Sequence, residues 1–218
     1  MADYPKFSVS DFICWKLLPT KIGCGKDYIW SFKHAWVVHN RQNIKNAAAN
    51  NNIPAFLLAG VCLVEVGGKD FTDWPAFIVR SVDWSGPSWM DSSMTITKNP
   101  AVTSMGAVSI QLRRAAEAMG MDSSTLTQQQ LNTLAVALQS DVINLHIVAK
   151  HLQQLIHIDN PQSIQASHLT DEQVRLVGTR YWYGPEKSLE SLKKEADKST
   201  SYGARILQRK QLLIGLLQ

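Results

Sequence analysis

The sequence predicts a mainly α-helical fold, and three observations predict it. Apolar residues recur at three- and four-residue spacings, most extensively through Leu134, Leu138, Leu145, Val148, Leu152 and Leu155. Helix starts and stops punctuate these stretches: Pro54, Thr170 ahead of Asp171 and Glu172, the Gly67-Gly68 pair, Gly120 and Pro161. Third, residues 53–66 hold no ionisable group except Cys62 and Glu65, as expected of a helix surrounded by its own protein. With 218 residues, 45% hydrophobic and 18% charged, the chain can bury a core as one large domain. The expected organisation is an irregular N-terminal segment, residues 1–30, packed on a helical domain of residues 31–218.

Taken in order, residues 1–30 mix aromatics with Pro19, Gly23 and Gly25 and read as irregular, with room for one short helix. From about Tyr28 to Asn51 the pattern is helical, with Ile29, Phe32, Trp36 and Val37 on one face. Asn50, Asn51 and Asn52 break that helix ahead of Pro54, whose missing N–H suits a first turn. The helix of residues 53–66 follows, too short to span a bilayer and stopped by Gly67 and Gly68. Residues 67–102 carry Pro75, Gly86, Pro87 and Pro100 and no clear period, which predicts a long loop or small β region. Residues 106–119 read as an alanine-rich helix closed by Gly120, and residues 131–158 as one long core-facing helix ended before Pro161. Thr170 then caps a helix that runs to about Tyr181. Two amphipathic helices, residues 186–197 and 202–217, complete the chain, and Leu212, Leu213, Leu216 and Leu217 dock on the core or face a partner.

The net charge of +4 and a pI near 9.0 are too mild to imply nucleic acid. The charge is unevenly placed: residues 1–52 hold seven Lys/Arg against three acids and 171–218 nine against six, whereas 53–100 hold three against five. An acidic middle between basic ends fits a carboxylate-bearing cleft with flanks for an anionic polymer, or simply a solvated surface. Cys62 is expected as a buried small hydrophobe, while Cys14 and Cys24 either close a small loop in an oxidising compartment or stay as two free thiols. The six histidines show no metal-ligand spacing, and neither metal nor cofactor is expected. The opening MADYPKFSVSDF lacks a basic stretch followed by an apolar one, so the chain is expected to be made in the cytosol without a signal peptide.

Glu65 is the carboxylate that this pattern singles out. At the end of an apolar helix it either sits half-buried beside a cleft, with its pKa raised toward what a general acid needs, or points to solvent or an Arg. Downstream, Trp74, Trp84 and Trp89 lie near Asp70, Asp73, Asp83 and Asp91, which suits either packing under a loop or a groove for sugar rings.

Three features then stand in a set order: the apolar helix ending in Glu65, the segment from Thr103 through Ser104, Gly106 and Gln111 to Leu112, and Tyr181-Trp182-Tyr183-Gly184-Pro185. This order resembles the lysozyme-like superfamily, specifically goose-type lysozymes and soluble lytic transglycosylases, over roughly residues 40–190. The resemblance implies a lysozyme-like helical domain with a long loop or small β region after the catalytic helix. Glu65 would be the general acid, Ser104, Gly106 and Gln111 the wall facing it, and Tyr181 the residue that orients its carboxyl. The sequence departs from the pattern at Trp182, where an Asn is usual, and at Arg113, where goose-type enzymes carry an aspartate. The stretch from Glu65 to Thr103 is also longer than in compact members.

What the resemblance implies chemically is cleavage of the β-1,4 bond between N-acetylmuramic acid and N-acetylglucosamine. Asp83 and Asp91, ahead of Asp70 and Asp73, are the candidate second carboxylates. One about 6.5–9.5 Å from Glu65 would activate water, whereas its absence would leave the substrate's own 6-hydroxyl to attack. A wall-degrading activity without a leader points to delivery by other means, as an antibacterial effector of a contact-dependent apparatus such as type VI, or as a phage endolysin. An effector would act in the periplasm or cell wall of a target bacterium and need a secretion-apparatus carrier and a cognate immunity protein. The rival from another class is a non-enzymatic helical adaptor for nucleic acid or a protein, but residues 187–210 alternate in sign instead of clustering basic charge.

Overall fold

A computed structural model describes residues 2–67, 100–160 and 168–218. Eleven α-helices occur among these residues: α1 (Val9–Leu17), α2 (Gly25–His39), α3 (Arg41–Asn50), α4 (Ala55–Glu65), α5 (Leu112–Ala118), α6 (Gln128–Ala137), α7 (Asp141–Asp159), α8 (Asp171–Tyr183), α9 (Leu189–Ala196), α10 (Tyr202–Gln208) and α11 (Lys210–Leu216). One two-stranded sheet, β1 (Ser104–Met105) and β2 (Ile110–Gln111), accompanies them. The fold is therefore mainly α, and no single helix among the described residues is long and apolar enough to cross a membrane. The contacts divide the chain into two compact units, Met1–Phe32 with Val66–Asn144 and Lys33–Glu65 with Leu145–Gln218.

In the first unit, the opening residues hold more regular structure than the sequence suggests. Ser8 caps α1 and shares a capping box with Asp11, which also accepts the Tyr28 hydroxyl. Cys14 and Cys24 are joined as a disulfide, which decides between the two alternatives left open above. Phe7 is buried edge-on to Phe32 and Trp15, with ring centroids 5.0 and 6.2 Å away. Asp141 binds the chain start twice: its N–H donates to the Asp3 carboxylate, and its own carboxylate accepts the Tyr4 N–H, both at 2.9 Å.

The segment expected as a helix over residues 106–119 is a correction. Its first part is a hairpin in which Ser104 pairs with Gln111 and Met105 with Ile110, and only α5 is helical. Gly106 makes the turn with φ +85°, and a Cβ there would lie 2.6 Å from the Asn144 amide nitrogen and 2.7 Å from the Leu138 carbonyl oxygen. Asn144, fully buried, holds the hairpin tip by accepting the Val108 N–H at 2.8 Å and donating to its carbonyl at 3.2 Å. The expected single helix over residues 131–158 is likewise two helices, α6 and α7. After Ala137 the turn tightens to i→i+3 bonds, Gln139 to Val136 and Ser140 to Ala137, and the next N–H, that of Asp141, is taken by Asp3.

In the second unit, α4 is the buried element: Leu57 to Leu63 are all inaccessible, Cys62 among them. The helix expected over Tyr28 to Asn51 is broken at Asn40 into α2 and α3. Asn40 is buried with φ −90° and ψ 8°, and its side chain accepts from the Asn43 amide at 3.0 Å, a local bond that competes with helix continuation. Glycine lets α10 pack tightly: a Cβ at Gly203 would lie 2.0 Å from the Arg175 carbonyl oxygen, and one at Gly178 2.7 Å from the Gly203 Cα. Thr170 caps α8 as anticipated, in a capping box with Gln173. The expected C-terminal helix over residues 202–217 is interrupted at Arg209, giving α10 and α11.

Beyond α8, Arg180 organises the following loop. It is 1% exposed and pairs through Nε and Nη2 with the two Asp159 carboxylate oxygens, each at 2.6 Å. Its remaining donors reach the Pro185 and Lys187 carbonyls, each at 2.9 Å. A fully satisfied guanidinium in this position ties the residues after Tyr183 to the end of α7.

Candidate active site

Glu65 is the last residue of α4, half-buried, in the turn where the helix carbonyls have no intrahelical donors. One of those carbonyls, that of Val64, accepts the ammonium of Lys33 at 2.7 Å. The Tyr202 hydroxyl, at the first position of α10, donates to Glu65 Oε1 at 2.9 Å. Ser201 fixes that start as the N-cap, its side chain accepting the Ala204 N–H.

Burial is the largest influence on the Glu65 carboxyl and raises it above its ordinary 4.5, against the opposing effects of the Tyr202 bond and the Lys33 charge. The negative end of the α4 dipole acts in the same direction as burial. Tyr202 is itself buried, and burial first, then the Glu65 charge, hold its phenol well above 10. It therefore stays a donor, able to bond either the carbonyl oxygen of the acid or the carboxylate left after proton transfer. This combination favours the protonated carboxyl and supplies a hydrogen bond to the charge left after proton transfer.

A cleft of about 330 Å³ is lined by Val64, the residue before Glu65, and by its partner Tyr202, whereas Glu65 itself is not part of the lining. The lining also includes Trp182, Tyr183, Lys198 and Arg205. Trp182 is 65% exposed and stacks on Tyr202, with centroids 6.0 Å apart and planes 26° from parallel. Tyr181 joins the same cluster, 5.8 Å from the Tyr202 ring and 5.9 Å from the His151 ring. Its phenol is raised well above 10 by burial first and then by the Glu65 charge.

Of the residues singled out in the sequence, Glu65 and Tyr181 thus belong to one cluster in the second unit. Ser104, Gly106 and Gln111 belong to the first unit, where Gly106 serves the hairpin turn and Gln111 accepts the Arg113 side chain at 2.8 Å. Asp83 and Asp91, with Asp70, Asp73 and the tryptophans 74, 84 and 89, lie outside the described residues. Among the described residues no group of three or more His, Cys, Asp or Glu side chains could hold a metal ion.

Sequence reasoning missed Tyr202 and Lys33. Lys33 carried a signal, since it falls four residues after Ile29 and four before Val37 on the apolar face of α2, and a lysine there needs a buried acceptor. Tyr202 carried a weaker one, a cap followed by an aromatic, with nothing local to link it to a carboxylate 137 residues earlier. Compared with protein-family models, with curated proteins and with solved structures, the chain matches none.

Proposed function

We propose that this chain cleaves the β-1,4 bond between N-acetylmuramic acid and N-acetylglucosamine in peptidoglycan, with Glu65 as general acid on a lysozyme-like helical fold. The observation that supports this most strongly is the Glu65 carboxyl, held toward its neutral form by burial and bonded by Tyr202, which in turn lines a cleft together with the exposed Trp182. In the reaction the carboxyl protonates the glycosidic oxygen as positive charge develops at the anomeric carbon. The carboxylate that remains keeps the Tyr202 hydrogen bond and the field of Lys33 until it is reprotonated. Water completes hydrolysis if a second carboxylate activates it. Otherwise the substrate's 6-hydroxyl closes an anhydro sugar.

Action outside the cytosol is the natural setting, and the Cys14–Cys24 disulfide supports it, because such bonds persist in oxidising compartments. The reading extends to an antibacterial effector delivered into the periplasm or wall of a target cell, with a carrier and a cognate immunity protein. A phage endolysin would use the same chemistry. The test is digestion of purified sacculi by wild type and by Glu65→Gln, with mass analysis of the soluble products. Wild type should release muropeptides, with either water-added or anhydro ends, and the variant should release at least 100-fold less, the lower end of a general acid's contribution. Equal release by both proteins, or none by either, would overturn the proposal.

A further inference from the structure

The cleft that Tyr202 lines is not a plain sugar groove, because charge is distributed across it. Its lining combines the stacked pair Trp182 and Tyr202 with the cations Lys198 and Arg205. The single acid in the lining, Glu195, already accepts Lys198 at 2.6 Å and the Tyr183 hydroxyl at 3.0 Å, and Lys187 stands 4.0 Å from it. The cations of the lining therefore exceed its acids, two to one. Arg205 is oriented as well as charged, since its Nε donates to the Thr200 carbonyl at 3.1 Å. An apolar ring face in the same cleft as an excess of positive charge suits an acyl chain or peptide that ends in a carboxylate.

We propose that this cleft is a subsite for the peptide stem of muramic acid, in which Lys198 and Arg205 read a stem carboxylate while Trp182 and Tyr202 cover its apolar part. This deepens the glycosidase reading and rests on it for the choice of ligand. Muramic acid, unlike glucosamine, carries at O3 a lactyl group extended by a peptide, only a few bonds from the anomeric carbon that is attacked. Tyr202 both lines the cleft and bonds Glu65, so a ligand in the cleft lies one side chain from the proton donor. At about 330 Å³ the cleft accommodates several residue-sized groups, more than a lone anion requires.

The test measures binding, in a Glu65→Gln background, of short glycan strands whose stems have free carboxylates and of the same strands with those carboxylates converted to carboxamides. Two partly exposed ion pairs predict about tenfold tighter binding of the free-carboxylate strands. Adding Arg205→Gln and Lys198→Gln should bring the ratio of the two affinities to about one. A merely structural loss would weaken both ligands together and leave the ratio as it was. A ratio near one before the charge changes, an unchanged ratio after them, or no binding of either strand overturns the subsite. The two proposals fail separately. Wild type that shows the ratio but cuts neither strand retires the glycosidase and keeps the subsite, whereas cleavage without the ratio does the reverse.

Discussion

Replacing Gly203 by alanine probes how the fold sets the proton donor's partner. A Cβ at this position would lie 2.0 Å from the Arg175 carbonyl oxygen and 2.6 Å from both its carbonyl carbon and Cα, all backbone atoms of α8 that no rotamer change can move aside. Restoring ordinary contact at 3.4 Å requires α10 to retreat by about 1.4 Å, and Tyr202 is the adjoining residue. A displacement of that size takes the 2.9 Å Tyr202–Glu65 bond beyond hydrogen-bonding reach. Overpacking against rigid backbone costs about 3 kcal/mol, the upper end of its usual range, or about 6–12 °C in melting temperature for a chain of this size. Losing a hydrogen bond to a charged group also lowers turnover about tenfold or more. The control is Gly215→Ala on α11, where an added Cβ meets nothing within 4 Å and should leave stability equal or up to about 1 kcal/mol higher. Calorimetry and sacculus digestion on both variants decide the matter. A Gly203→Ala protein that melts and turns over like wild type would refute the claim that the α8–α10 approach positions Tyr202.

Two further outcomes follow from the same unit. Arg180→Ala leaves Asp159 as an uncompensated buried charge and should cost about 3–5 kcal/mol in denaturant unfolding, while the double change Arg180→Met with Asp159→Leu should cost much less. Glu65→Gln should stabilise the protein at neutral pH. Because the folded carboxyl is raised above 4.5, its contribution to stability is full below that value and lost as pH rises through the folded value. The melting difference in favour of the variant should therefore grow from about pH 4.5 upward and then level off; a difference that is flat with pH would contradict the assigned direction.

The parts of this arrangement that were legible in the sequence are those encoded locally. α4 could be read because its apolar residues run all round the helix between Pro54 and Gly67, and α8 because Thr170 followed by Asp171 and Glu172 marks a helix start. The helix breaks at Asn40 and at Leu138 to Ser140 were not legible, because neither contains glycine or proline: the first is held by a side-chain bond between two asparagines, and the second by Asp3, far away in the chain. The hairpin at Gly106 was hidden for the same reason: alanine-rich sequence favours a helix, and the Asn144 amide that holds the tip lies 36 residues further on. At the site, Glu65 announced itself as a lone carboxylate in an apolar run, whereas its partner Tyr202 is a matter of tertiary approach.

As a proton donor, Glu65 depends on a carboxyl that burial holds toward neutrality and that the Tyr202 bond draws back toward its charged form. Carboxyl carbon NMR of glutamate-labelled protein measures this directly, with the Glu65 signal assigned by its disappearance in Glu65→Gln. This signal should titrate above 4.5, and higher again in Tyr202→Phe, where the donor that favours the charged form is gone. A Glu65 carboxyl titrating at or below 4.5, or unmoved by the loss of the Tyr202 hydroxyl, would contradict this role of Glu65.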